Sequence, residues 1–296
     1  MPSSPVAEAR RLRLRQFAQL YGVALAFTFV PFSLGTDSAR EGIYRLTGQL
    51  SGAIEGARYS LLHNELDAAV AAADGALAMV PGSQEALGIK ANALFERYWV
   101  SQDETDRRGG RELVEALRQS SDAGAYTARG NLALIEGDTL AAVKSLQQAV
   151  AADNADAYAH HQLGFTLNAL GRYAEALPHF ERALLLAPDM AWVQSNLVVS
   201  LAGLERCDAR IQGLQPGAAA SCHNQVGVAQ YNGNRFKEAR AHFDRAVRAA
   251  PDSAMFHANL AAALANLGDR QQARAQARQA RSLGLTEHPV LQALGE

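Results

Sequence analysis

Residues 158–188 show the pattern that runs through most of the chain. Leu163, Gly164 and Leu167 fall at helical spacing, a turn follows at Gly171, and Ala176, Phe180 and Ala183 resume the spacing until Pro188. Two apolar-faced helices joined by a glycine turn are predicted. The register returns 63 residues later as Val226, Gly227, Phe236, Ala239, Phe243, Ala246 and Pro251, and another 34 residues on as Leu260, Ala261, Leu264, Gly268, Ala273, Ala277 and Ala280. Weaker copies lie upstream, at Gly130, Gly137, Ala142, Leu146 and Ala149, and at Leu66, Ala69, Ala73, Ala76 and Pro81.

A fixed period near 34 residues signals a repeat array, and this one resembles the tetratricopeptide repeat, with His160 where that family often has tryptophan. Numbered from residue 157, the small position 8 (Gly164) lets the paired helices approach. The larger apolar positions fill the seam, and the proline stops the second helix. Seven units are predicted, at 50–83, 84–122, 123–156, 157–190, 191–219, 220–253 and 254–287, followed by a C-terminal cap at 288–296. The second unit is five residues too long, with the excess at Ser101 to Gly110, and the fifth is five too short. No repeat buries its own apolar face, so neighbours stack into a common core. The expected fold is all-α: a right-handed superhelical solenoid of about seven helix-turn-helix units, preceded by a single N-terminal transmembrane helix.

That helix is read from residues 1–35. Arg10, Arg11, Arg13 and Arg15 precede an uncharged run from Gln16 to Thr36, within which Phe17 to Leu34 would span about 27 Å as a helix, roughly a bilayer's hydrocarbon thickness. Residues 1–15 are then a cytoplasmic basic N-terminus, 16–35 an inner-membrane anchor, 36–49 a linker or helical extension, and the rest periplasmic. A cleaved signal peptide and a buried or transit segment are the alternatives.

Composition narrows the partners. With 28 Lys and Arg against 30 Asp and Glu, the chain lacks the basic balance of a nucleic-acid binder. The charge is uneven, net −5 over residues 36–122 and net +5 over 235–281. Arg270, Arg274 and Arg278, with Arg281 a turn on, make a stripe on the last unit's second helix. It is either a solvated face or a dock for an acidic partner or anionic lipid headgroups. Cys207 and Cys222 bracket the shortened fifth unit. They form a disulfide if the domain is exported, or two buried thiols otherwise. No phosphate loop, zinc-protease signature, haem attachment site or nucleophile elbow occurs, and histidines such as His160, His223 and His257 recur at one repeat position. No catalysis, metal, cofactor or small-molecule substrate is expected.

By the resemblance, the first helix of each unit lines a concave surface. The positions that point into it hold Tyr158, His161, Gln162, Phe165 and Asn168, then Trp192 and Asn196, then Asn224, Gln225, Tyr231 and Asn232, and finally Asn259 and Asn266. Amides pair with peptide backbone and aromatic rings anchor it, although Trp192 could instead fill the seam of the short unit. Three functions are open: a membrane-anchored periplasmic scaffold for an envelope complex, a chaperone or assembly factor for exported clients, and an accessory subunit of a membrane enzyme.

Overall fold

The computed structural model describes residues 37–208 and 217–294, so the predicted cytoplasmic segment and transmembrane anchor lie outside it. Among the described residues there are fourteen helices and no strand, and no helix is long and apolar enough to cross a membrane. The helices form two compact units that divide after Leu117.

The first unit contains α1 (Asp37–Leu62), α2 (Leu66–Met79), α3 (Gln84–Ser101) and α4 (Glu104–Ala116). Residues 37–49, for which a linker or a helical extension is expected, belong to a continuous helix from Asp37 onward. The extra residues of the second repeat lengthen its first helix: α3 has 18 residues, where the corresponding helices of the second unit have 13 to 15. Gln102 turns the chain with φ 58°, and Asp103 caps α4 by accepting from the Thr105 N–H. Arg97 holds this extension in place, donating to both carboxylate oxygens of the buried Asp106 at 2.7 and 2.6 Å and to Asp67 at 2.7 Å. A bidentate fork to a buried carboxylate is the strong form of an ion pair, and it raises the basicity of Arg97.

The second unit contains α5 (Ala123–Ile135), α6 (Thr139–Ala152), α7 (Ala157–Ala169), α8 (Tyr173–Leu186), α9 (Ala191–Gly203), α10 (Ala218–Asn232), α11 (Phe236–Ala249), α12 (Ala254–Asn266), α13 (Arg270–Ser282) and α14 (Pro289–Leu294). Aspartates 122, 138, 156 and 269 cap α5, α6, α7 and α13 by accepting backbone N–H bonds. This satisfies donors that a bare helix start leaves orphaned. Within the α5–α6, α7–α8 and α10–α11 hairpins a glycine meets a large side chain. A Cβ added at Gly164 would lie 2.9 Å from the Phe180 ring, and one at Gly227 2.6 Å from that of Phe243. The core of these hairpins accordingly sets buried alanines around Leu146, Phe180 and Phe243.

The fifth repeat contributes a single helix, α9, among the described residues. Cys207 after it is disulfide-bonded to Cys222 in α10, with Cα atoms 5.3 Å apart. At the C-terminus, Val290 and Leu291 of α14 bury against Ala258 and Ala261 of α12 and Ala277 and Ala280 of α13. The predicted cap is thus a one-sided helix that closes the last hairpin.

Candidate peptide-binding face

The structure buries three of the predicted groove residues: Tyr158, His161 and Gln162 are only 3–4 % exposed. The prediction that they face a partner is corrected, and the cause is the neighbouring first helices. Asn131 of α5 donates to the Tyr158 hydroxyl at 3.1 Å and Gln162 donates to it at 2.7 Å. From the other side Asn196 of α9 donates to His161 Nε2 at 3.0 Å, and the Trp192 ring lies 3.9 Å from the imidazole. The ring hydrogen of His161 is therefore on Nδ1, which is buried and has no hydrogen-bond partner among the described residues. Burial holds its pKa at about 3, so the ring is neutral.

The asparagines form ladders between successive first helices. Asn168 donates to the Asn196 carbonyl at 2.9 Å and accepts from the Ser200 hydroxyl at 2.7 Å. Asn259 donates to the Asn224 side-chain oxygen at 2.8 Å, and Asn266 donates to the Tyr231 hydroxyl at 2.8 Å. These amides align one repeat on the next, so only part of their hydrogen-bonding capacity is left for a ligand. Phe165, Gln225 and Asn232 are exposed. Trp192 is half-buried over His161.

Where α14 crosses the end of the array, the inner face becomes a groove of 420 Å³. Tyr231 and Asn232 of α10, Asn259 and Asn266 of α12, and His288 and Val290 near the C-terminus line it, with Val228 and Pro289 adding apolar wall. Four predicted site residues thus share one concavity. The sequence predicts only a cap at 288–296, and the wall that His288, Pro289 and Val290 add to the groove has no signal in the repeat period.

The histidines at repeat position 4 do a structural job that periodicity alone did not reveal. His160 Nε2 lies 2.9 Å from the Asn154 side-chain oxygen and 3.3 Å from its carbonyl, while Nδ1 lies 3.1 Å from Nδ1 of His179. His223 repeats the arrangement with Asp208 and His242, at 3.2 Å each, and His257 with the Pro251 carbonyl and Gln276, at 2.9 and 2.6 Å. At His160 and His223, with Nε2–H donating to the preceding loop, Nδ1 is left to accept from the histidine of the second helix, whereas Nδ1 of His257 faces the Gln276 side-chain oxygen. One imidazole therefore ties a loop to both helices of its hairpin. Burial, then the neighbouring His179, lowers His160 to a pKa of about 4, and burial lowers His179 and His242 as well.

Arg270, Arg274 and Arg278 are exposed along α13. Arg281 is exposed too, and one of its nitrogens donates to the Leu291 carbonyl at 2.7 Å and so anchors α14. Among the described residues no three His, Cys, Asp or Glu side chains gather as metal ligands.

The tetratricopeptide repeat family matches residues 123–156, 157–190 and 227–284. No curated protein matches the sequence. Among solved structures, apo RapI is similar at 10 % identity over 83 % of this chain and 79 % of its own, with a TM-score of 0.57. MamA from Desulfovibrio magneticus RS-1 is similar at 19 % identity over 54 % of this chain and 94 % of its own, with a TM-score of 0.36. PilF of Pseudomonas aeruginosa is similar at 18 % identity over 69 % and 97 %, with a TM-score of 0.40. The likeness to RapI is one of fold. With family matches that fall on the helix hairpins, small-to-large seams inside them and first helices laddered by asparagine, the chain is a tetratricopeptide repeat protein.

Proposed function

We propose that this chain is a non-catalytic interaction scaffold that holds a partner protein by an extended segment laid in the groove between α10, α12 and α14. The groove itself carries the reading. It offers an exposed amide at Asn232, which donates and accepts, beside the Tyr231 ring and the apolar Val228 and Pro289. A further part of the proposal sets the scaffold on a bacterial inner membrane, with residues 16–35 as anchor and the repeats periplasmic. The uncharged run behind four arginines supports this. So does the Cys207–Cys222 disulfide, a bond that persists in oxidising compartments.

The test is purification of the tagged full-length chain from its native membrane in mild detergent, with mass spectrometry of what accompanies it. Stoichiometric membrane subunits that are lost when Asn232→Ala and Val228→Glu are introduced together support the scaffold. Many substoichiometric exported proteins would replace it with a chaperone or assembly factor. An enzyme whose activity returns only on adding the chain back would replace it with an accessory subunit. A topology reporter showing the C-terminus in the cytoplasm overturns the periplasmic placement.

A further inference from the structure

Helix α13 has two unlike faces. Ala273, Ala277 and Ala280 are buried, whereas Arg270, Gln271, Arg274, Arg278 and Gln279 are exposed. The helix contains no acidic residue, and the one at its start, Asp269, spends its carboxylate on the Gln272 N–H. Among the described residues no carboxylate pairs with Arg270, Arg274 or Arg278, whereas Arg97, Arg172 and Arg245 each meet an acid. Four-residue spacing lines the three guanidinium groups up at intervals of about 6 Å, and like charges so placed destabilise their own helix. Together with Gln271 they border an open recess of 490 Å³.

We infer that this row docks an acidic helical segment of a partner protein, at a site separate from the groove. Glutamates or aspartates at i, i+4 and i+8 of a partner helix have the same pitch, and each guanidinium fork takes a carboxylate in two parallel hydrogen bonds. The pairing removes the repulsion along α13. A lipid surface fits less well, because an interfacial helix sets Trp, Phe or Leu beside its basic residues and the exposed positions of α13 hold only Arg, Gln, Ala and Ser. The inference does not rest on the groove, which is lined from α10, α12 and the C-terminal segment.

The experiment uses the full-length chain in detergent and a fluorescent helical peptide of alanine with glutamate at i, i+4 and i+8, read by anisotropy. Three partly exposed pairs should make it bind about tenfold tighter than its glutamine counterpart. The preference should vanish in the triple variant R270Q/R274Q/R278Q and weaken with added salt. The single variant R274E should lose affinity for this peptide and regain it for one with lysine at the central position, a rescue that misfolding cannot produce. Equal binding of the glutamate and glutamine peptides overturns the inference, as does undiminished binding by the triple variant. So does arginine-dependent binding to phosphatidylglycerol vesicles with the peptide ignored, which would make the surface a lipid site.

Discussion

A histidine whose Nε2–H donates to a loop oxygen and whose Nδ1 accepts from a second ring has to be neutral, and this fixes a pH dependence. His160 titrates near pH 4 and His161 near pH 3 in the folded chain, against 6.5 for the free side chain. The unfolded chain takes up protons first, so their contribution to stability is complete above pH 6.5 and is lost as pH falls from 6.5 towards 4. For His160 alone the loss is on the order of 3 kcal/mol by pH 4. Thermal melts between pH 7.5 and 4 should show a falling Tm, and a flat profile would refute the neutral latch. A second residue-scale prediction concerns Gly227, where a Cβ would meet the Phe243 ring at 2.6 Å. Gly227→Ala should destabilise by about 1–3 kcal/mol through overpacking, readable as a lower denaturation midpoint at unchanged helix content. That a small residue at this position lets the paired helices approach was legible from the repeat register. The burial of Tyr158, His161 and Gln162 was not, because it depends on Asn131, Trp192 and Asn196 from adjoining repeats, which close over the same helix from both sides.

Among the elements, the shortened fifth repeat and the last helix are where local changes should tell most. Cys207 and Cys222 enclose a loop of 15 residues in sequence separation, and opening a loop of that size costs about 3 kcal/mol. Cys207→Ser with Cys222→Ser should lower the Tm and speed hydrogen exchange first in α10. Exchange slowed or unchanged there would mean the bond stabilises nothing. The cap α14 is held by Val290, Leu291 and the Arg281 bond to the Leu291 carbonyl. Leu291→Ala should cost about 2–5 kcal/mol and also weaken partner capture, since α14 forms one wall of the groove. The two irregular repeats followed from counting residues against a 34-residue period. The consequence of each irregularity did not, since a count cannot tell a longer helix from a longer loop. At α3 the choice is made by the fork between Arg97 and Asp106, nine residues apart in sequence.

At the scale of the whole molecule, the chain divides after Leu117 into two compact units, each with its own buried alanines and large side chains. Repeat arrays gain stability from neighbour to neighbour, so the two units should protect their amides to different degrees, which hydrogen exchange in rising denaturant would resolve. One concerted transition over all amides would count against two cores. The division falls within the second repeat, the one that is five residues too long for the period. The disulfide bears on the molecule at the same scale. Arg210 lies between its two cysteines in sequence, so a single tryptic cut there would yield fragments 1–210 and 211–296 that still migrate as one species. They would part only in reductant, which makes covalent continuity of this protein a property of its redox state as well as of its backbone.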